Sequence, residues 1–239
     1  MFLSVVVPAY NEEKRLSRTL FAIDAYLKSQ SYEYEIIVVD DGSTDCTLEI
    51  TKNLYSKIAN LKLLSNKENH GKGYVVRQGL LAAKGDWRLF VDADNSTSID
   101  QLEKFLPFIK TYDIIIGSRA IAGAVLSPPQ PFFRSAAGAV VKLLIRFIVA
   151  ISEIQDTQCG FKLFSKKAVE SIFTKCTISG WVFDAEILKI AKNMGYATKE
   201  VPVVWQNDAA SKVRLISIGG ILRDLVKIRH NAIMVKYHE

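Results

Sequence analysis

Short apolar runs alternate with longer amphipathic stretches through the first half of the chain. The apolar runs, rich in β-branched residues, lie at 3–7, 35–39, 61–64, 87–91 and 113–116, and the amphipathic stretches lie at 12–29, 45–58, 73–83 and 99–109. Such apolar runs are typical of strands buried on both faces of a parallel sheet, and parallel strands need long crossover connections. The pattern therefore predicts an α/β fold in which a mostly parallel central sheet is flanked by helices.

The pattern changes after residue 117. A proline-rich loop at 127–131 precedes a long apolar helix at about 132–151, and the stretch 212–236 has a helical pattern in which six Lys and Arg residues accompany a single acidic residue, Asp224. No flexible linker separates this half from the first. We therefore expect one domain over 1–239, with amphipathic helices in its second half.

The composition excludes several classes of protein. Of the 239 residues, 49% are hydrophobic and 23% are charged, which suits a large globular core and excludes a disordered or repetitive chain. Three cysteines without paired spacing predict free thiols, and the first residues lack the pattern of a signal peptide. The most apolar segment, 136–151, is too short for a membrane span and contains Lys142 and Arg146. We therefore expect a cytoplasmic protein.

The chain is basic, with 31 Lys and Arg residues against 25 Asp and Glu residues and a net charge of +6. A positive charge of this size favours an anionic partner, but it does not choose between nucleic acid, lipid headgroups and a nucleotide. The chain has no recognised nucleic-acid module and no interleaving of aromatic and basic residues, so we expect no nucleic-acid partner.

Two aspartates directly follow the fourth predicted strand, as Asp92-Ala93-Asp94. Side chains two residues apart in an extended chain point the same way, and carboxylates in this arrangement commonly hold Mg²⁺ or Mn²⁺ beside substrate phosphates. The alternative is that the two aspartates only cap the next helix. The chain has no GxGxxG or GxxxxGK[ST] sequence, so a metal must replace a glycine-rich phosphate loop.

Polar residues also follow the first two predicted strands. The polar segments at 8–12, 40–45 and 92–96 each stand at the carboxyl end of a strand. Ligands of open α/β sheets bind outside these ends. We therefore expect the three segments to converge on one crevice.

Five motifs carry a family resemblance: PAYNE at 8–12, VVDDGSTD at 38–45, NHGKG at 69–73, DAD at 92–94 and GSR at 117–119. In these motifs the chain resembles the family 2 glycosyltransferases, which have the GT-A fold. The resemblance implies a nucleotide-binding half at 1–118 and an acceptor-side half at 119–239. It implies sugar-nucleotide contacts at Pro8, Tyr10, Glu12, Val39, Asp41, Lys72, Asp92, Ala93, Asp94 and Arg119, and a Mg²⁺ or Mn²⁺ site at Asp92, Asp94 and Ser96.

Two of these positions have alternatives. The resemblance implies that Asp41 contacts the nucleotide, and because Asp40 should face the opposite way in an extended chain, we expect Asp40 to be a helix-side or capping residue. Lys72 stands between two glycines before a helix, where it could reach a phosphate or the base of the nucleotide. A solvated loop lysine is the other interpretation of Lys72.

A second block of motifs narrows the resemblance. DTQCGFKLF at 156–164, GWVFDAE at 180–186 and EVPVVW at 200–205, followed by Ser211 and Lys212, are similar to dolichyl-phosphate glucosyltransferases and less closely to dolichyl-phosphate mannose synthases. The resemblance implies inverting, metal-dependent transfer of a sugar from UDP-glucose, or alternatively GDP-mannose, to a polyprenyl phosphate. The chain departs from the glucosyltransferase pattern at Ala210, where that pattern has glycine.

Charge assigns roles within this reaction. An anionic acceptor that approaches an anionic donor needs cations on the acceptor side. The resemblance makes Arg119, Arg134 and Lys212 the candidates, with Ser211 and Lys212 in a loop that closes over the diphosphate; the alternative is that they are surface cations. A phosphate monoester with a second pKa of about 6 is mostly dianionic at pH 7 and needs no strong general base. Asp184 could still act as a base in the chemistry, and the alternative is that it orients a sugar hydroxyl.

The lipid acceptor implies a membrane surface. The helix at about 132–151 and the basic stretch 212–236 could lie on anionic headgroups, which would make the protein peripheral on the cytoplasmic face of a membrane. The alternative is an ordinary core helix whose cations extend to solvent. Two other functions stay open, a family 2 transferase with another acceptor and a non-catalytic subunit that binds a sugar nucleotide.

Overall fold

The computed structural model describes residues 2–127, 143–206, 218–234 and 236–237. Strands and helices alternate in the first half as β1 (Phe2–Ala9), α1 (Leu16–Lys28), β2 (Glu33–Asp40), α2 (Thr47–Asn53), β3 (Leu61–Ser65), α3 (Lys72–Ala82), β4 (Trp87–Val91) and β5 (Ile114–Ser118). All five predicted strands are confirmed, with bounds within two residues of those predicted.

The second half contributes shorter elements: β6 (Val125–Ser127), β7 (Phe161–Ser165), α4 (Lys166–Ile172), α5 (Phe183–Asn193), β8 (Thr198–Pro202), β9 (Val204–Gln206) and α6 (Ile218–Ile233). Before β7, the segment Arg146–Ala150 forms a π-helical turn. Most of the helix predicted at 132–151 lies outside the described residues. α6 confirms the helical prediction for the described part of 212–236.

Seven strands form one sheet in the order β3-β2-β1-β4-β7-β5-β8. β1 pairs in parallel with β2 and β4, β2 pairs in parallel with β3, and β5 pairs in parallel with β8. β7 is antiparallel to both of its neighbours, β4 and β5. The prediction of a mostly parallel sheet flanked by helices is therefore confirmed, and strands from both halves of the chain share that sheet.

Apolar side chains cover both faces of the sheet, because successive residues of a strand point to opposite sides. In β1, Val5 and Val7 belong to a core cluster that includes Leu20 of α1. Val6 belongs to the cluster on the other face, together with Val75 of α3. Burial on both faces explains why the strands are continuous apolar runs in the sequence.

Two predicted helices differ in the structure. The stretch 99–109 forms two 3₁₀ helices, Ile99–Lys104 and Leu106–Phe108, and not an α-helix. Pro107 lacks an N–H, and its ring excludes the carbonyl of a preceding α-helical turn. α2 ends at Asn53, well before residue 58, because the chain tightens at Leu54, whose N–H donates to Thr51 O at 3.2 Å.

Two sequence expectations concern thiols and membrane spans. All three cysteines are free, as predicted, with Cys159 and Cys176 buried and Cys46 exposed. Across the described ranges, no helix has both the length and the apolar character that crossing a membrane requires.

A buried carboxylate joins three strands at the amino end of the sheet. Glu35 of β2 is 3% exposed and accepts hydrogen bonds from the Ser4 hydroxyl (2.6 Å), the Lys84 N–H (2.7 Å) and Lys62 Nζ (2.6 Å). Burial raises the pKa of Glu35, but the hydrogen bonds from Lys62, Ser4 and Lys84 outweigh burial and leave the pKa below its ordinary value.

We expect Glu35→Gln to lower the free energy of unfolding at pH 7 by about 1–3 kcal/mol, because the amide leaves a buried donor unsatisfied. A depressed native pKa stabilises the fold above the unfolded-state pKa, and this stabilisation is lost as pH falls through the native pKa. The difference in the free energy of unfolding between wild type and variant, measured by urea unfolding, should therefore shrink as pH falls below the ordinary pKa of a glutamate carboxyl group. Glu33→Gln, exposed on the same strand, is the control, and a difference that stays constant down to pH 3 would contradict the assignment.

Candidate active site

The loops after β1, β2 and β4 meet at the carboxyl end of the sheet, which confirms the predicted convergence. Asn11 joins the first two loops: its N–H donates to Ser43 Oγ at 2.9 Å, and its Oδ1 accepts the Thr44 N–H at 2.8 Å. Asn11 has φ 55°, a left-handed conformation that asparagine tolerates. The Thr19 hydroxyl of α1 donates to Ala93 O at 2.7 Å and so holds the third loop beside the others.

Asp40 and Asp41 accept hydrogen bonds from different loops. The Asp40 carboxylate accepts the Ser43 N–H at 3.3 Å, so Asp40 caps the turn as expected. The Asp41 carboxylate accepts the N–H groups of His70 and Gly71, both at 2.9 Å. Asp41 is only 2% exposed, so its side chain holds the loop before α3 in place.

The other residues predicted to contact the nucleotide differ in exposure. Pro8 and Val39 are paired in neighbouring strands, and both are buried. The Tyr10 ring, just beyond β1, is 42% exposed. The Glu12 carboxylate accepts two hydrogen bonds of 2.7 Å from the Arg15 guanidinium. Tyr10 is therefore the most accessible of these four side chains.

Asp92 lies immediately after β4, against the backbone of the 156–164 motif. Its N–H donates to Gly160 O at 3.2 Å. A Cβ on residue 160 would lie 1.9 Å from Asp92 Oδ2, so only glycine fits there. The approach of Gly160 fixes Asp92 at the carboxyl end of the sheet.

Asp94 lies beside Asp92, and the negative charge of Asp92 acts on its carboxylate. Its Oδ1 accepts the Ser96 N–H at 2.9 Å, and the Ser96 carbonyl in turn accepts the Gln206 N–H at 2.7 Å. Burial raises the pKa of Asp94, the neighbouring Asp92 raises it further, and the Ser96 hydrogen bonds lower it only in part. The site therefore favours an additional cation beside these two carboxylates.

The donor set fits Mg²⁺ or Mn²⁺. These ions prefer oxygen ligands and are commonly held by one or two carboxylates plus substrate phosphates. Asp92 and Asp94 supply that pair, with Ser96 close to them. Among the residues that the structure describes, no group of three or more His, Cys, Asp or Glu side chains is arranged as a complete metal cage.

Lys72 forms an ion pair with Asp92. Its Nζ lies 2.7 Å from Asp92 Oδ1. Burial lowers the pKa of Lys72, but the carboxylates of Asp92, Asp184 and Asp94 outweigh burial and raise it above its ordinary value. Lys72 is therefore a positioned cation of the site and not a solvated loop lysine.

Asp184, in the first turn of α5, forms an ion pair with Lys162 of β7. The Lys162 side chain is fully inaccessible and also donates to the carbonyl of Cys159. Burial raises the pKa of Asp184, and the charges of Lys162 and Lys72 offset part of that shift. The ion pair with Lys162 therefore holds the Asp184 carboxylate, the third of the site, close to the Asp92–Asp94 pair.

Arg119, at the end of β5, is oriented by Asp156. Its Nε donates to Asp156 Oδ2 at 2.7 Å and its Nη2 donates to Asp156 Oδ1 at 2.9 Å. The guanidinium also lies over the Trp205 ring, 5.7 Å from its centroid. Burial lowers the pKa of Arg119, but the hydrogen bond and the charge of Asp156 outweigh burial and raise the pKa above its ordinary value. Two of its five N–H donors are used by Asp156, which leaves donors for an anionic group.

Sequence reasoning missed two residues that position others. Asp156 and Lys162 lie in the 156–164 motif, which carries the family resemblance but gives no role to either residue. A lysine inside the apolar run Phe161–Ser165 was the available signal, because a buried lysine needs a carboxylate partner.

Three predicted site residues, Arg134, Ser211 and Lys212, lie outside the described residues. The structure brings together the remaining members of the predicted set: Pro8, Tyr10, Glu12, Val39, Asp41, Lys72, Asp92, Ala93, Asp94, Ser96, Arg119 and Asp184 lie in or directly beside the loops at the carboxyl end of the sheet.

Known sequences are similar to this chain over most of its length. A family model described as glycosyl transferase family 2 matches residues 4–173. A dolichyl-phosphate β-glucosyltransferase of Trichomonas vaginalis is 37% identical over 239 residues, covering 95% of this chain and 73% of the relative. The Drosophila melanogaster and Homo sapiens proteins of the same description are 39% and 34% identical, each covering 88% of this chain and 69% of the relative.

Solved structures share the fold. Glucosyl-3-phosphoglycerate synthase from Mycobacterium tuberculosis, in complex with Mn²⁺, UDP and glucosyl-3-phosphoglycerate, superposes with a TM-score of 0.70 at 19% identity, covering 96% of this chain and 79% of that chain. S. aureus TarS in complex with UDP-GlcNAc superposes with a TM-score of 0.63 at 21% identity, covering 98% of this chain and 67% of that chain. The sheet order, the family model and the sequence relatives agree: this chain belongs to glycosyltransferase family 2 and is a glycosyltransferase of the GT-A fold.

Proposed function

We propose that the enzyme transfers glucose from UDP-glucose to a dolichyl-type polyprenyl phosphate, with inversion at the anomeric carbon and with the help of Mg²⁺ or Mn²⁺. One juxtaposition carries the proposal: the 156–164 motif meets Asp92 through Gly160 and orients Arg119 through Asp156, so it brings the Asp92–Asp94 loop and the Arg119 guanidinium to the same crevice. The crevice thus offers ligands for a cation beside donors for an anion. The relatives at 34–39% identity, which are named for this lipid and this sugar, support the acceptor and the transferred glucose.

Asp92 and Asp94 would hold the metal, with Ser96 at its side. When bound there, the ion would neutralise the diphosphate of the donor and stabilise it as a leaving group. Lys72 adds a positive charge on the same side of the crevice, next to Asp92. Tyr10 and the loop held by Asp41 lie on the nucleotide side. In this proposal residues 1–118 bind the nucleotide and residues 119–239 form the acceptor side of a single domain.

Arg119 would bind the acceptor phosphate. Asp156 holds its guanidinium in a fixed orientation, so little conformational entropy is lost when the free N–H groups meet a phosphate. Arg134 and Lys212 are proposed for the same neutralising role, and Ser211 for a contact to the diphosphate. A dianionic phosphate is already a competent nucleophile, so Asp184 is assigned to orienting the sugar.

An exposed surface that combines apolar and basic residues would bring the enzyme to its lipid. Phe147 is 77% exposed, Ile233 63% and Val226 58%. The helical turn with Phe147 packs against α6, where Val226 and Ile233 share one helix face with the exposed Arg223 and its neighbouring cations. We propose that this surface lies on anionic headgroups at the cytoplasmic face of a membrane, as in a peripheral protein.

The proposed reaction is tested by incubating the purified enzyme with Mn²⁺ or Mg²⁺, a short polyprenyl phosphate, and labelled UDP-glucose or GDP-mannose in separate reactions. We expect metal-dependent transfer of label from UDP-glucose into the organic phase, and loss of that transfer with EDTA. Asp94→Asn should lower the rate by at least about 10²-fold, because one metal ligand is lost. Asp86→Asn, at the other end of β4, is the matched control. Transfer from GDP-mannose alone would contradict UDP-glucose as the donor. Unchanged activity of Asp94→Asn would contradict the proposed metal site.

The pH dependence separates the two roles of Asp184. A phosphate nucleophile loses its second charge as pH falls, so kcat/KM should decrease below about pH 6. A general base at Asp184 would also give an acidic limb, since burial raises its pKa. We expect Asp184→Asn to lower kcat and to leave the position of the acidic limb unchanged. If the limb disappears in this variant, Asp184 is the titrating base.

Membrane attachment is tested by sedimentation with phosphatidylserine-rich vesicles at low salt. We expect the wild type to sediment and to be released by salt, because the cations of α6 interact with the headgroups. Phe147→Ser should weaken binding roughly tenfold or more, as expected when one aromatic side chain no longer enters the apolar boundary. Phe21→Ser, an exposed phenylalanine of α1, is the control. Wild-type protein that stays in the supernatant at low salt would contradict the proposed surface.

A further inference from the structure

Lys72 is enclosed by the acidic cluster and by two aromatic rings. Its Nζ lies 2.7 Å from Asp92 Oδ1, 5.4 Å from the centroid of the Phe90 ring and 5.3 Å from that of Trp181. Both rings present their faces to a cation at a favourable distance. The surroundings therefore stabilise an ammonium group at this position even when no ligand is bound.

The backbone leaves Lys72 little freedom to lie elsewhere. Gly71 has φ 98°, and a Cβ there would lie 2.5 Å from Ser179 O. A Cβ on Gly73 would lie 2.5 Å from Ile178 O, and the Gly73 N–H donates to Ser179 O at 2.8 Å. The start of α3 is thus pressed against the segment 178–179, which directs Lys72 into the crevice.

The charges around Lys72 do not cancel. Three carboxylates, those of Asp92, Asp94 and Asp184, act on Lys72. Lys162 is already paired with Asp184 and with the carbonyl of Cys159. Lys72 is therefore the cation in direct contact with Asp92, which is one of the two carboxylates proposed to hold the metal.

We propose that Lys72 is a resident counter-ion that must leave Asp92 when a divalent cation binds, and that the diphosphate of the donor then accepts the displaced ammonium. The inference rests on the proposed function, because it needs a nucleotide diphosphate and a metal in the same crevice. Without nucleotide, Lys72 competes with the metal for Asp92. With nucleotide, Lys72 gains a new anionic partner, so metal and nucleotide each favour the binding of the other through this one side chain.

The test measures binding in the absence of acceptor. The dissociation constant of Mn²⁺ is determined by calorimetry or by Mn²⁺ electron paramagnetic resonance, first with protein alone and then with saturating UDP, and in parallel with GDP. For the wild type we expect weak Mn²⁺ binding that UDP strengthens. Lys72→Met should bind Mn²⁺ roughly tenfold more tightly without UDP, and the strengthening by UDP should fall by a similar factor, the scale of coupling between adjoining charged sites.

Two further variants keep the result interpretable. Lys72→Arg retains the positive charge and should behave as the wild type does. Lys110→Met removes the same charge from an exposed position before β5, at the opposite end of the sheet. This variant should leave the dissociation constant of Mn²⁺ unchanged, both without UDP and with saturating UDP. Thermal melting of each variant shows that the fold is retained.

Three outcomes would overturn the inference. Unchanged constants in Lys72→Met would show that Lys72 does not compete with the metal, and would leave the proposed function standing. Loss of Mn²⁺ binding in a folded Lys72→Met would show that Lys72 supports the metal site and does not oppose it. Absence of both Mn²⁺ and nucleotide binding in the wild type would overturn this inference together with the proposed function.

Discussion

The site depends on one electrostatic constraint: three aspartates, Asp92, Asp94 and Asp184, lie close together in a partly buried crevice at the carboxyl end of the sheet. Burial disfavours ionised carboxylates, and both burial and the charge of Asp92 raise the pKa of Asp94. Two lysines offset this cost from different elements, Lys72 at the start of α3 and Lys162 in β7. The Phe90 ring lies within 5.4 Å of one ammonium and 5.9 Å of the other. Charge balance at the site therefore requires β4, α3 and β7 together.

This requirement gives a reason for the one antiparallel strand of the sheet. β7 lies between β4 and β5, and its pairing places Lys162 opposite Phe90 on one side and Ile116 on the other. From there the Lys162 side chain reaches Asp184. The strand is preceded by Gly160, which meets Asp92, and by Asp156, which orients Arg119. A segment from the second half of the chain thus sets the positions of residues that the first half supplies for metal and phosphate.

Local pattern was enough to predict the strands and the convergence of their loops, because buried parallel strands read as continuous apolar runs and polar residues follow them. Pattern could not predict the insertion of β7, since strand order depends on contacts between residues far apart in the sequence. The amphipathic spacing of 99–109 predicts an α-helix, but Pro107 interrupts the backbone hydrogen bonds that an α-helix needs, and the stretch forms 3₁₀ helices. Family resemblance named Asp92, Asp94 and Arg119. The partners Lys162 and Asp156 followed only from the three-dimensional structure, because their roles are defined by side chains they meet across the sheet.

The C-terminal helix is bound to the same segment that positions Lys72. The Glu186 carboxylate, fully buried two residues after Asp184, accepts the Ile178 N–H at 2.8 Å and the hydroxyl of Tyr237 at 2.5 Å. Asn231 of α6 donates to the Tyr237 hydroxyl at 3.1 Å. Ile178 O, on the other side, lies against Gly73. A buried carboxylate without these donors would be costly, so the hydrogen bonds hold α6, α5 and the start of α3 together. The helix proposed to face the membrane and the lysine proposed to balance Asp92 are therefore attached to one hydrogen-bonded unit, and neither can shift far without disturbing the carboxylate that joins them.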